Sequence, residues 1–133
     1  MKAVKKIIAA FAILALSLQL VACSEYVSSY SALMLRRSNT KSSCSVSFNQ
    51  LDGRLVFKIE KTDGAEGELH YEASLNSGEL SVYYDIYGTK ELLFSISSGE
   101  EKSGSGGYIE RGKRIYIIIE ADGAANGSVR VEA

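Results

Sequence analysis

Arg54-Leu55-Val56-Phe57-Lys58-Ile59-Glu60 alternates apolar and polar side chains, and Arg114-Ile115-Tyr116-Ile117-Ile118-Ile119-Glu120 repeats much of that pattern later in the chain. Successive side chains of a strand point to opposite faces, so Leu55, Phe57 and Ile59 define a core face and Val56, Lys58 and Glu60 the other. The same period of two extends outward from these stretches. It predicts strands over 43–49, 54–61, 67–75, 79–87, 91–97, 114–121 and 127–132, with a weaker one over 105–110. Between them lie Asp52-Gly53, Asp63-Gly64, Asn76-Ser77-Gly78, Tyr87-Gly88 and Asp122-Gly123, all turn chemistry. Short strands at close spacing, with no long helical period between them, predict an all-β fold: a jelly-roll-like antiparallel β-sandwich of about eight short strands.

An internal echo runs through this pattern. Arg54, Leu55, Phe57, Ile59 and Glu60 correspond to Arg114, Ile115, Ile117, Ile119 and Glu120, and Asp63-Gly64-Ala65 to Asp122-Gly123-Ala124. Gly67, Leu69 and Tyr71 likewise match Gly127, Val129 and Val131. Read as two strand-turn-strand units, the echo predicts that 54–61 pairs with 67–75 and 114–121 with 127–132.

Upstream of the strands the chain begins Met1-Lys2-Ala3-Val4-Lys5-Lys6, continues through an apolar run from Ile7 to Leu16, and reaches Leu20-Val21-Ala22-Cys23-Ser24. A basic start, a short apolar core and small residues before the cut are the layout of a secretory signal, too short for a comfortable membrane span. Leu20-Val21-Ala22-Cys23 resembles the lipobox of bacterial lipoprotein precursors. The resemblance implies that residues 1–22 are removed and that the Cys23 thiol carries a diacylglyceryl group with palmitate-type chains. Two acyl chains supply the two hydrophobic signals of stable anchoring. The expected location is the outer side of the cell membrane, or the outer membrane where the host has one.

Residues 23–43, rich in Ser with scattered Tyr26, Tyr30, Leu33 and Met34, read as the lipidated Cys and a flexible tether. The sandwich is expected over 44–133. A mature chain of about 110 residues is the size of one domain. The whole sequence has 15 Lys+Arg against 16 Asp+Glu, and losing Lys2, Lys5 and Lys6 makes it more acidic. Nucleic acid is thereby excluded as a partner, and weak repulsion from anionic lipid is expected to project the domain outward. With Cys23 acylated, Cys44 has no intrachain partner; it alternates with Ser45, Val46, Ser47 and Phe48 as a core residue would. One thiol and one histidine, His70, cannot fill a zinc site, and no other metal or cofactor is expected.

The second echo unit, Tyr108-Ile109-Glu110-Arg111-Gly112-Lys113-Arg114 through Ile119-Glu120, then Asp122-Gly123 and Gly127-Ser128-Val129-Arg130-Val131, looks like the closing hairpin of small bacterial β-sandwich modules. It is similar to pre-peptidase C-terminal-type jelly rolls and to short surface lipoproteins. That resemblance implies an accessory role outside the cytoplasm and supplies no catalytic residues.

Catalytic motifs are not found: there is no phosphate-cradling loop, zincin helix or nucleophile elbow. Ser103-Gly104-Ser105-Gly106-Gly107 reads as a flexible loop. One constellation is chemically suggestive. If 67–75 and 79–87 pair through the Asn76-Gly78 turn, His70 and Glu72 share an outward face with Tyr83, Asp85 and Tyr87, where rings could stack on sugar faces and carboxylates accept hydroxyl hydrogen bonds. The chain is thus expected to be a non-catalytic binding or accessory module of the cell envelope, its partner a glycan or an envelope protein. The alternative is a structural or assembly component that contacts other proteins through its sheet edges.

Overall fold

The computed structural model describes residues 26–61, 67–110 and 112–133. The leader, Cys23 and the Asp63-Gly64 turn lie outside the described residues. Among the described residues there is no helix, and the chain forms seven strands: β1 (Ser29–Leu33), β2 (Arg36–Asn39), β3 (Ser43–Glu60), β4 (Gly67–Asp85), β5 (Glu91–Ser97), β6 (Glu100–Ile109) and β7 (Arg114–Glu132). All strand pairs are antiparallel, in the order β1-β3-β7-β4-β5, with β2 also on β3 and β6 also on β4.

The three central strands are long because each bends without breaking. β3 changes register against β7 between Leu51 and Gly53, and β4 against β7 between Ser77 and Glu79. The flanking ribbons bend too: β2 covers residues 44–47 of β3 while β1 covers 50–54, and β6 covers 67–75 of β4 while β5 covers 79–84. A left-handed residue marks each bend, at Met34, Gly53, Gly123, Gly78 and Gly99. The positions form a crease across the sheet. At its centre a Cβ on Gly78 would sit 2.3 Å from the Gly123 carbonyl oxygen, so two backbones meet where no side chain fits.

Folded along that crease, one sheet becomes two facing layers, a β-sandwich. The first layer contains β2, β6, and the halves of β3, β7 and β4 over 43–48, 127–132 and 67–75. The second contains β5 and the halves over 54–60, 114–121 and 79–85. Cys44, Val46, Phe48, Leu69, Leu75, Val129 and Val131 point inward from the first; Leu55, Phe57, Ile59, Leu80, Val82, Ile115, Ile117 and Ile119 answer them from the second. The Tyr71 ring of one layer stacks on Phe94 of the other, with centroids 4.2 Å apart.

The faces expected for these residues hold, but the pairing differs. Asp52-Gly53, Asn76-Ser77-Gly78 and Asp122-Gly123 are bends within strands, so the eight expected short strands merge into five, β3 to β7. The 54–60 stretch pairs with 114–120, placing Leu55 opposite Ile119 and Phe57 opposite Ile117. The 67–75 stretch pairs with β6 and, in part, with 127–132 of β7. The two echo units therefore lie side by side and antiparallel instead of forming two separate hairpins.

Two other expectations are corrected. Residues 29–39, read as tether, supply β1 and β2. Gly104 and Gly107, read as loop, belong to β6, where a Cβ would come within 3.0 Å of the Tyr71 hydroxyl and 2.9 Å of the Tyr84 ring. Those glycines let inward tyrosines pack against the β6 backbone.

The outer face of the second layer is itself covered. Ile118 points outward from β7 yet is fully buried. It lies in register between Val56 and Tyr83, and Tyr116 stands two residues before it. Residues ahead of β1 cross this face: the Ser28 hydroxyl accepts from the Val56 N–H at 2.9 Å, and Tyr26 packs on Tyr116 with centroids 5.5 Å apart.

Candidate functional site

The outer face of the first layer is open, and strand register fixes what it presents. Because outward positions line up across neighbouring strands, one row runs Arg36, Ser47, Ser128, Ser74, Glu101 across β2, β3, β7, β4 and β6. The next runs Ser38, Ser45, Arg130, Glu72, Ser103. A third, shorter row holds Ser43, Glu132, His70 and Ser105. Adjacent strands stand about 4.8 Å apart and alternate residues about 7 Å along a strand, so the face is a lattice of hydroxyls with charged groups set into it.

The layer curves, and this lattice floors a groove of about 770 Å³. A smaller depression of about 280 Å³ extends it past Glu72 and Arg130 to His70 and Glu132. Ser74 and Ser128 hydroxyl oxygens are 3.1 Å apart in mid-groove. The Arg130 guanidinium donates to the Glu132 carboxylate, which with Glu72 nearby pushes the Arg130 pKa further up. Among the described residues, no aromatic ring lines the main groove.

Both edges of this layer turn a cation inward. Arg37 of β2 lies with its guanidinium 4.7 Å from the Phe57 ring centroid. Lys102 of β6 donates to the Ser95 carbonyl at 2.5 Å. Inward charges on edge strands oppose pairing with another chain there.

The five residues proposed from sequence do not form one patch. His70 and Glu72 are exposed and belong to the groove and its extension. Tyr83, Asp85 and Tyr87 lie beyond the crease on the second layer, because the chain crosses to that layer at Gly78 instead of turning back beside itself. Asp85 is 2% exposed; its carboxylate accepts from the Tyr26 hydroxyl at 2.5 Å and from the Gly88 N–H at 2.7 Å. Tyr83 has the Lys90 ammonium 4.5 Å from its ring centroid, and Tyr87 the Lys113 ammonium at 5.7 Å. A sugar would have to displace those cations.

Cys44 sits in the core, where burial pushes its thiol up to about 12. Among the described residues no three of His, Cys, Asp and Glu converge as metal ligands.

Sequence reading missed the serines. Their signal is present, since Ser45 and Ser47 alternate with Cys44, Val46 and Phe48, but which serines share a row is a property of register across five strands. Local pattern does not carry it.

No protein-family model and no curated protein matches the chain. Among solved structures, it is similar to TmCBM61 in complex with beta-1,4-galactotriose, at 16% identity over 83% of this chain and 69% of that one, TM-score 0.37. It is also similar to a carbohydrate-binding module of family 29, at 12% identity over 80% and 74%, TM-score 0.39. A structure of CBM4 gives 9% identity over 74% of each chain, TM-score 0.38. Likeness at this level leaves the reading of the groove to its own chemistry.

Proposed function

We propose that this chain is a lipid-anchored, non-catalytic binding module of the cell envelope whose groove holds a glycan through hydrogen bonds rather than ring stacking. The observation that carries the reading is the pair of complete five-strand rows. Serine hydroxyls both donate and accept, as sugar hydroxyls do; Glu72 and Glu101 add charged acceptors, and Arg36 and Arg130 charged donors. An exposed lattice of this kind, with no aromatic ring among the described lining residues, suits an extended polyhydroxylated ligand better than a compact apolar one.

Affinity electrophoresis in gels containing soluble envelope polysaccharides tests the reading. The native chain is expected to be retarded by at least one of them. Arg130→Ala and Glu72→Gln are each expected to weaken retardation roughly tenfold or more, the worth of a charge-assisted hydrogen bond. Ser128→Tyr, at an exposed position, is expected to block the groove without lowering the melting temperature. Retardation unchanged in all three variants contradicts the groove.

The anchor rests on the sequence from Lys2 to Ser24. Cys23→Ser is expected to release the protein from the membrane fraction or to leave an uncleaved precursor.

A further inference from the structure

The residues ahead of β1 form a strap across the outer face of the second layer, and three contacts fasten it. The Ser28 hydroxyl accepts from the Val56 N–H at 2.9 Å, the Tyr26 ring packs on Tyr116, and the Tyr26 hydroxyl donates to Asp85 at 2.5 Å. Tyr116 and Asp85 stand opposite each other on β7 and β4, both directed outward. The groove occupies the outer face of the first layer, so the chain enters the domain on the side of the sandwich away from it. Because Ser29–Leu33 and Arg36–Asn39 are strands, little free tether remains. Three residue steps separate Cys23 from Tyr26, a reach of at most about 11 Å. Facing sheets stand about 10 Å apart, and Tyr26 starts in front of the second sheet by the thickness of the Tyr116 side chain. By any path that residues 23–25 take, the outer face of the first sheet lies beyond the reach of Cys23.

We propose that the groove faces away from the membrane that holds Cys23 and takes a polysaccharide strand presented from beyond that membrane, not a glycolipid headgroup of the anchoring leaflet; this rests on the lipid-anchor and groove readings together. A protein surface can lie on a membrane only if the anchor can be brought level with it, and the groove does not meet that condition. Its length agrees. From Arg36 to Glu101 a row crosses five strands, about 19 Å at the usual strand spacing, room for several units of a sugar strand. The strap thus fixes which side of the sandwich is offered to the surroundings, and the short tether keeps it so.

Dye quenching on the processed protein, reconstituted in phosphatidylcholine vesicles that carry a nitroxide-headgroup lipid, tests this. The dye is placed on one cysteine at a time: Arg114→Cys, two residues before Tyr116 on the same outer face, or Ser128→Cys in the groove, both exposed positions. Acylation occupies Cys23, and burial keeps Cys44 unreactive. The dye at 114 is expected to be quenched several-fold more strongly than the dye at 128. Quenching at 128 equal to or stronger than at 114 puts the groove on the leaflet, within reach of glycolipid headgroups, and overturns the proposal. Quenching at neither position means that the strap does not hold the domain at the anchor, and overturns it too. The underlying readings fail separately: an intact mass without acyl groups overturns the anchor and the orientation with it, whereas an unlabelled chain that no polysaccharide retards in gels overturns the glycan reading and leaves the measured orientation standing.

Discussion

Tyr26 and Asp85 stand 59 positions apart in the chain and meet at 2.5 Å. Asp85 is buried, so the phenol that donates to it satisfies an acceptor that water does not reach freely. Tyr26→Phe is expected to cost about 1–3 kcal/mol of stability, read from urea denaturation. The same contact sets a pH dependence. The hydrogen bond to Asp85, then burial, pushes the Tyr26 pKa up to about 12. A raised tyrosine pKa stabilises the fold fully below the unfolded value near 10 and loses that contribution as pH rises through the folded value. Native protein should therefore lose stability between about pH 10 and 12, and Tyr26→Phe should lack that part of the alkaline limb. Cys44 offers a second test at this scale. With its thiol raised by burial to about 12, it should resist alkylation at pH 8 in folded Cys23→Ser protein and react once the chain is unfolded.

At the scale of elements, the crease is what distinguishes this sheet from a set of hairpins. Gly78→Ala places a methyl against the Gly123 backbone in a left-handed conformation, whereas Gly88→Ala, also left-handed, meets nothing within 4 Å. The first should cost about 4 kcal/mol or more and the second about 1–2 kcal/mol, measured as shifts in urea midpoint. A Ser74→Cys/Ser128→Cys double variant should form a disulfide, because those hydroxyls are 3.1 Å apart across β4 and β7. The pairing of 114–121 with 127–132 in a separate hairpin gives no reason for such a bond. Here the limit of sequence reading is physical. A bend within a strand and a turn between strands both need left-handed glycines beside short polar residues, so Asp122-Gly123 reads the same in either role. Alternation, by contrast, is local and survives the ambiguity: Leu55, Phe57, Ile59, Ile115, Ile117 and Ile119 are all core, as their spacing requires. Ile118 escapes it, since what buries an outward residue is a segment from far along the chain.

For the whole molecule, folding one sheet along a crease produces two outer faces with different fates. The second layer's face is spent on Ile118, Tyr116 and the crossing of Tyr26 to Ser28, with lysines set over the Tyr116 and Tyr83 rings. The first layer's face is left open and polar, and it is there that His70 and Glu72 meet serines and Arg130 from strands that no local pattern links to them. Of the site, His70 and Glu72 were thus legible, as outward polar residues on β4. The rest depends on β2, β3, β6 and β7 coming into register. The most direct test is an amide-shift titration of isotope-labelled protein with a glycan that retards it in gels. The account predicts shifts confined to residues 36–38, 45–47, 70–74, 101–103 and 128–132. Shifts centred on Tyr83 and Tyr87, with those five segments unmoved, would contradict it.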